Sequence, residues 1–226
     1  GDVYRARDTG LGRDVVLKIV PEDVAKDAER FPRFKREAKV LAALNHPNIA
    51  SIYGLEEADG RPFLVLELVE GEGLSQKLSR GALPVSLSID LAKQIAAALD
   101  EAHELGIIHR DLKPANVQVT PLNRVKILDF GLAKVYSTDP SGNHPLAGTG
   151  AGTKSGAILG TPGYMSPEQT RGQAVDKRTD IWAFGAVLFE MLTGVRPFTR
   201  ATLGDTLVAV LTQDPDWTAL PGATPP

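Results

Sequence analysis

The string His109-Arg110-Asp111-Leu112-Lys113-Pro114-Ala115-Asn116, with Asp129-Phe130-Gly131 close behind it, constrains this chain more than any other feature. It sets a carboxylate, an ammonium and a carboxamide within one short loop. The apolar runs 117–120 and 125–128 read as short strands flanking the Asp-Phe-Gly turn. Asn116 and Asp129 offer hard oxygen ligands, which suit Mg²⁺. A lone Asp-Gly or Asn would signal only a turn. The full order of residues is too specific for that reading.

Composition narrows the class. The chain has 226 residues, enough for one large domain or two small lobes with real cores. A net charge of −3 gives no electrostatic case for nucleic acid as the main partner. Cysteine is absent, so neither disulfides nor thiolate chemistry is available. No apolar run approaches the roughly 20 residues that span a bilayer. The nearest, Ala183 to Leu192, is interrupted by Glu190. The opening Gly-Asp-Val-Tyr and the closing Pro-Gly-Ala-Thr-Pro-Pro read as a segment cut at both ends.

Residues 3–7 and 14–20 read as strands joined by a turn at 9–13. Residues 32–44 carry apolar side chains at helical spacing, with Pro32 suited to the first turn. Residues 49–56 and 62–68 read as two further strands around an Asp59-Gly60 turn. Gly71-Glu72-Gly73 marks a boundary, after which the pattern turns helical. Residues 86–105 repeat apolar positions at Leu87, Leu91, Ile95, Leu99 and Ala102, with Gly106 as the C-terminal cap. Residues 180–193 form another apolar helix closed by Gly194 and Pro197. The stretch 137–156 is rich in Gly, Ser and Thr, a loop long enough to be functional or mobile.

With these motifs in place, the whole chain resembles the catalytic domain of a eukaryotic-type serine/threonine protein kinase, in a bacterial style. The resemblance implies an α+β, bilobal fold. Residues 1–70 would be a small antiparallel-sheet lobe with one helix, lacking its first strand. Residues 71–226 would be a larger, mainly helical lobe, incomplete at its C-terminus.

It also implies roles for individual residues. Asp111 takes the proton of a substrate hydroxyl, and Lys113 offsets charge on the transferring phosphoryl group. Asn116 and Asp129 hold Mg²⁺, or Mn²⁺ in its place. Val15-Val16-Leu17-Lys18 resembles the strand motif that presents a lysine to the ATP phosphates, paired there with Glu37. Gly1 resembles the last glycine of the phosphate-covering loop. Leu66 guards the back of the adenine pocket, and Glu67 and Val69 offer backbone groups to the ring. Val3 and Val16 cover the ring from above. Gln118 stands where the family commonly has an apolar floor residue. That departure either alters nucleotide fit or leaves the amide turned outward.

His109 and Phe130 would stack with Leu41 in an apolar column. Asp180 resembles the carboxylate that anchors the catalytic loop, and a helix N-cap is an equal structural reading. The segment Gly160 to Glu168 resembles the end of an activation segment, which implies a protein substrate. Thr161 would bond near Asp111 and Lys113. Glu168 would lack the distant arginine that it meets in the family. Arg110 would bind a phosphate placed on Thr153 or Ser155, or less readily on Thr149, by autophosphorylation, with a homodimer as one route in trans.

The implied activity is transfer of the γ-phosphate of ATP to Ser or Thr of proteins, in the cytoplasm, with any membrane anchor outside this segment. Two rival readings are a pseudokinase scaffold and a small-molecule phosphotransferase.

Overall fold

The computed structural model describes residues 2–130 and 162–224. Gly1, Thr149, Thr153, Ser155 and Thr161, for which the sequence implies roles, lie outside these residues.

The first part is a four-stranded antiparallel sheet in the order β1-β2-β4-β3, formed by Val3–Asp8, Arg13–Ile19, Arg61–Glu67 and Ile52–Ala58 respectively. Register follows the alternation of side chains. Val3 pairs with Lys18, and Val16 with Leu66, so these residues meet at one end of the sheet. Asp59 and Gly60 both take positive φ (51° and 70°), as a tight two-residue hairpin turn requires. Helix α2, Arg30–Ala42, buries Phe34, Ala38 and Leu41 at helical spacing. It starts two residues before the start expected from Pro32. A short helix α1, Glu22–Ala25, precedes it. Its four residues are too few for periodicity to register.

The second part is mainly helical. A two-residue strand β5, Glu72–Gly73, leads into α3, Leu74–Leu78. Helix α4, Val85–Glu104, fully buries Leu91, Ile95, Ala98 and Ala102. Each large apolar side chain buried in this way stabilises the lobe by about 1.5–3 kcal/mol. Gly106 at φ 71° ends the helix in a Schellman arrangement: Ile107 N–H reaches Ala102 C=O, and Gly106 N–H reaches His103 C=O. Strands β6 (Val117–Val119) and β7 (Val125–Ile127) join β5 in a three-stranded sheet. Beyond it lie α5 (Pro167–Thr170), α6 (Lys177–Thr193) and α7 (Leu203–Thr212).

The lobes are tied at β7. Ile49 forms a parallel bridge with Ile127, with Ala50 N–H to Ile127 C=O at 2.9 Å and Ile127 N–H to Asn48 C=O at 2.8 Å. The Asn48 amide donates to Val125 C=O and Gln94 Oε1. Gly71 packs against β6 so closely that a Cβ there would lie 2.4 Å from Val119 O. No described helix is long and apolar enough to cross a membrane.

Helix α6 corrects one expectation. Its N-cap is Asp176, whose side chain accepts from Arg178 N–H. Asp180 is therefore not a cap. It lies inside the first turn, fully buried, which frees its carboxylate to serve another segment.

Candidate active site

That segment is the loop between α4 and β6. Asp180 Oδ2 accepts the His109 N–H, and Oδ1 accepts the Arg110 N–H, both at 2.8 Å. His103 Nε2 lies 2.8 Å from the same carboxylate. Gln169 donates to Arg110 C=O at 2.7 Å. These bonds hold Arg110 at φ 68°, a left-handed conformation that costs a non-glycine residue about 1–2 kcal/mol. Burial lowers the Arg110 pKa, while the carboxylates of Glu37 and Asp180 raise it.

His109 is a structural node, as its sequence context suggests. Its Nε2 faces Leu128 C=O at 3.1 Å, and its Nδ1 faces the Asp111 N–H at 3.3 Å. These partners select the neutral tautomer protonated on Nε2. Its ring meets Phe130 edge-on, with centroids 4.7 Å apart. Phe130 and Leu41 are buried in the same apolar core.

Asp111, Lys113 and Asn116 converge. Lys113 Nζ lies 2.7 Å from Asp111 Oδ2. Asn116 Nδ2 lies 3.2 Å from that oxygen and 2.8 Å from Asp111 C=O. Both side-chain donors therefore take Oδ2. The Asp111 side chain keeps 36% of its surface exposed, so a substrate can reach it. The Asn116 amide turns its nitrogen to Asp111, which leaves its oxygen for a cation.

A cavity of about 280 Å³ opens between the lobes. Val3, Val16, Lys18 and Leu66 line it from the sheet, all expected from sequence. Glu67, Val69, Gln118 and Asp129 line it too, while Gly1, also expected there, lies outside the described residues. Leu44, Ile49 and Ile52 line the cavity as well.

One expectation needs correction. The carboxylate within ion-pair distance of Lys18 among the described residues is that of Asp129, at 2.8 Å, not that of Glu37. Asp129 sits at φ 57°, which turns its side chain back across the cleft. The Glu37 carboxylate is near enough to Arg110 to raise its pKa through charge. Glu168 Oε1 accepts the Thr179 hydroxyl at 2.6 Å, a partner other than the family's arginine. The Glu67 side chain, which carries no signal in sequence, takes both Ser51 N–H (3.0 Å) and Lys126 Nζ (2.9 Å).

Gln118 resolves an open alternative. It lines the cavity, and its Oε1 is buried with no hydrogen-bond partner among the described residues. The residues present suit a Mg²⁺–nucleotide. No described group of three His, Cys, Asp or Glu residues makes an all-protein cage. Mg²⁺ is commonly held by one or two protein oxygens plus phosphates and water, which matches Asp129 with Asn116.

Comparisons with known proteins agree with this geometry. The protein kinase domain family matches residues 1–217. Serine/threonine-protein kinase PknB of Mycobacterium leprae is 40% identical over 217 residues, 94% of this chain and 33% of that protein. Serine/threonine-protein kinase pkn3 of Myxococcus xanthus is 41% identical over 221 residues, 95% of this chain and 39% of that protein. Serine/threonine-protein kinase PknA of Mycobacterium tuberculosis is 39% identical over 204 residues, 88% of this chain and 45% of that protein. The chain spans less than half the length of these relatives. With its two lobes, its catalytic loop and a family match over most of its length, the chain belongs to the protein kinase domain family.

Proposed function

We propose that the chain transfers the γ-phosphate of ATP to Ser and Thr hydroxyls of proteins. One observation carries this reading: the Asp111 carboxylate, fixed through Oδ2 by Lys113 and Asn116, remains accessible beside a cavity that ends on Asp129 and Lys18.

The adenine ring fits between Val3 and Val16 above and Gln118 below, with Leu66 behind it. The backbone of Glu67 and Val69 meets its polar edge, and Gly1 belongs to the phosphate cover. Lys18 reaches the phosphates, with Asp129 and Glu37 as the carboxylates that compete for it. Asn116 and Asp129 would hold Mg²⁺, which when bound spreads positive charge over the phosphate oxygens. Asp111 orients the acceptor hydroxyl and takes its proton as the new O–P bond forms and the bond to ADP breaks. Lys113 offsets charge on the group in transit. Thr161 belongs beside these two residues. Most of the acceleration on this reading comes from positioning and electrostatics.

Autophosphorylation at Thr149, Thr153 or Ser155, between two copies in trans, is the regulatory part of the reading, with Arg110 as the phosphate's partner. Manganese substitutes for magnesium, and the reaction is cytoplasmic.

The test is phosphate transfer from γ-labelled ATP with Mg²⁺ to the chain and to a protein acceptor, with Asp111→Asn alongside. Label on Ser and Thr in the wild type, reduced by about 10²-fold or more in the variant, is expected. A nucleotide-dependent thermal shift without transfer would make the chain a scaffold. Transfer only to small molecules would replace the protein substrate.

A further inference from the structure

Helix α2 carries an uneven charge. Of its 13 residues, Arg30, Arg33, Lys35, Arg36 and Lys39 are cationic and only Glu37 is anionic, in a chain whose net charge is −3. Phe34, Ala38 and Leu41 form the buried face, and Glu37 lies partly buried at its edge. With about 3.6 residues per turn, Arg33, Lys35, Arg36 and Lys39 fall on the opposite half of the helix. All four are exposed. Arg30 stands apart, turned to Asp23 at 3.0 Å.

Little on the protein matches this face. Arg33 has Glu29 Oε2 at 3.5 Å, an exposed and weak pair. Lys35 lies over the Phe31 ring, 4.5 Å from its centre. Arg36 and Lys39 make no ion pair among the described residues. Arg33 and Arg36, Arg36 and Lys39, and Lys35 and Lys39 are like-charge neighbours three or four residues apart, an arrangement that destabilises a helix. No acidic residue stands in the first turn to meet the positive end of the helix dipole. A helix that faced only water would gain by mixing signs, and α2 keeps one sign where it faces outward.

The class of anion follows from the rest of the face. Residues 33 to 39 span about 9 Å of helix axis, the length of roughly three residues of extended peptide. Single-stranded nucleic acid stacks its bases on exposed aromatic rings. Helix α2 exposes none, because Phe31 is partly buried and Phe34 fully so. A membrane-bound helix sinks a broad apolar face into lipid. The large apolar side chain that α2 exposes is Val40 alone, at 50%, one turn beyond Arg36.

We propose that the outer face of α2 docks an acidic segment of a partner protein, with Arg33, Arg36 and Lys39 meeting its carboxylates and Val40 meeting one apolar side chain. The partner then stands beside the catalytic loop, because Glu37, on the inner side of the same helix, is near enough to raise the Arg110 pKa.

The experiment follows the fluorescence anisotropy of a short labelled peptide, rich in Glu with one Leu, titrated with the protein at low salt. Saturable binding is expected, weakening as ionic strength rises. Arg36→Gln with Lys39→Gln should weaken it by about three- to tenfold, the loss of two exposed charge contacts, and each single change should give part of that loss. The control is Arg171→Gln with Lys177→Gln, which removes the same charge from exposed positions of the large lobe and should leave binding unchanged. Melting curves accompany both pairs, and the α2 pair should be at least as stable as wild type, since it loses like-charge neighbours. No binding of the acidic peptide, binding that survives the α2 changes, or an equal loss in the control overturns the proposal. Tighter binding of single-stranded DNA or of phosphatidylglycerol vesicles, lost with the α2 changes, assigns the face to nucleic acid or to membrane and overturns it too. The assay reads no phosphate transfer, so the kinase reading stands or falls separately.

Discussion

Asp180→Asn probes the loop that holds Asp111. The wild-type carboxylate accepts two backbone N–H groups at 2.8 Å and meets His103, all within a fully buried site at the start of α6. Asparagine keeps the shape but offers one acceptor oxygen. One of the two loop amides then faces an NH₂ group. A lost hydrogen bond to a charged group and a buried donor left unsatisfied together cost about 2–4 kcal/mol. At this size each kcal/mol corresponds to roughly 2–4 °C, so melting should fall by about 4–16 °C. Urea unfolding should show a lower midpoint at unchanged slope. Hydrogen exchange should speed selectively at the His109 and Arg110 amides, and kcat should fall, because Arg110 loses what holds its left-handed backbone. Asp176→Asn, at the true N-cap, is the control, and Asn caps nearly as well as Asp. A double-mutant cycle with His103→Phe should show coupling. A loss below about 1 kcal/mol, or amides that stay protected, would refute the assignment of Asp180 as the loop's anchor.

Gln118→Leu removes a buried acceptor with no described partner. It should raise stability by about 1 kcal/mol and tighten ATP binding roughly fivefold by calorimetry, whereas weaker binding would show that the amide contacts the nucleotide. The Tyr164 phenol has a folded pKa above its ordinary value of 10.0, chiefly from burial. Its contribution to stability is therefore complete below pH 10 and falls as pH rises further, and Tyr164→Phe should flatten that alkaline decline in a pH series of melts. Gly71→Ala puts a Cβ 2.4 Å from Val119 O at φ 149°. It should cost more than about 2 kcal/mol in denaturant melts, and a neutral result would mean that β5 and β6 part readily.

Much of this was legible in sequence, for physical reasons that differ by element. Helix α4 announced itself because one face is apolar at every turn and a glycine closes it. The Asp59-Gly60 hairpin was legible because few residue pairs accept two positive φ angles. The cavity walls were legible because the catalytic string is so specific. What escaped was tertiary. Asp176 and Asp180 are both acidic residues at the start of one helix, and only packing decides which caps and which is drawn inward. Lys18 has two carboxylates to choose from, and the choice depends on how a turn aims Asp129. Glu67 looks like an ordinary surface charge until its partners arrive from distant segments. Glu190 did leave a trace, as the lone charge in an otherwise apolar helical run. Such a residue must be matched by something, but sequence does not say by what.

The tether at β7 has a mechanical consequence. The small lobe meets the large one at the 48–50 segment, which bonds to β7, and at the chain crossing 67–73, which enters β5 of the same three-stranded sheet. Lys126 reaches the first through Ile49 C=O and the second through Glu67. Two fixed points define an axle. A rotation of the small lobe about that line would leave the cavity floor in place and carry β1, the strand farthest from β3 in its sheet, the greatest distance.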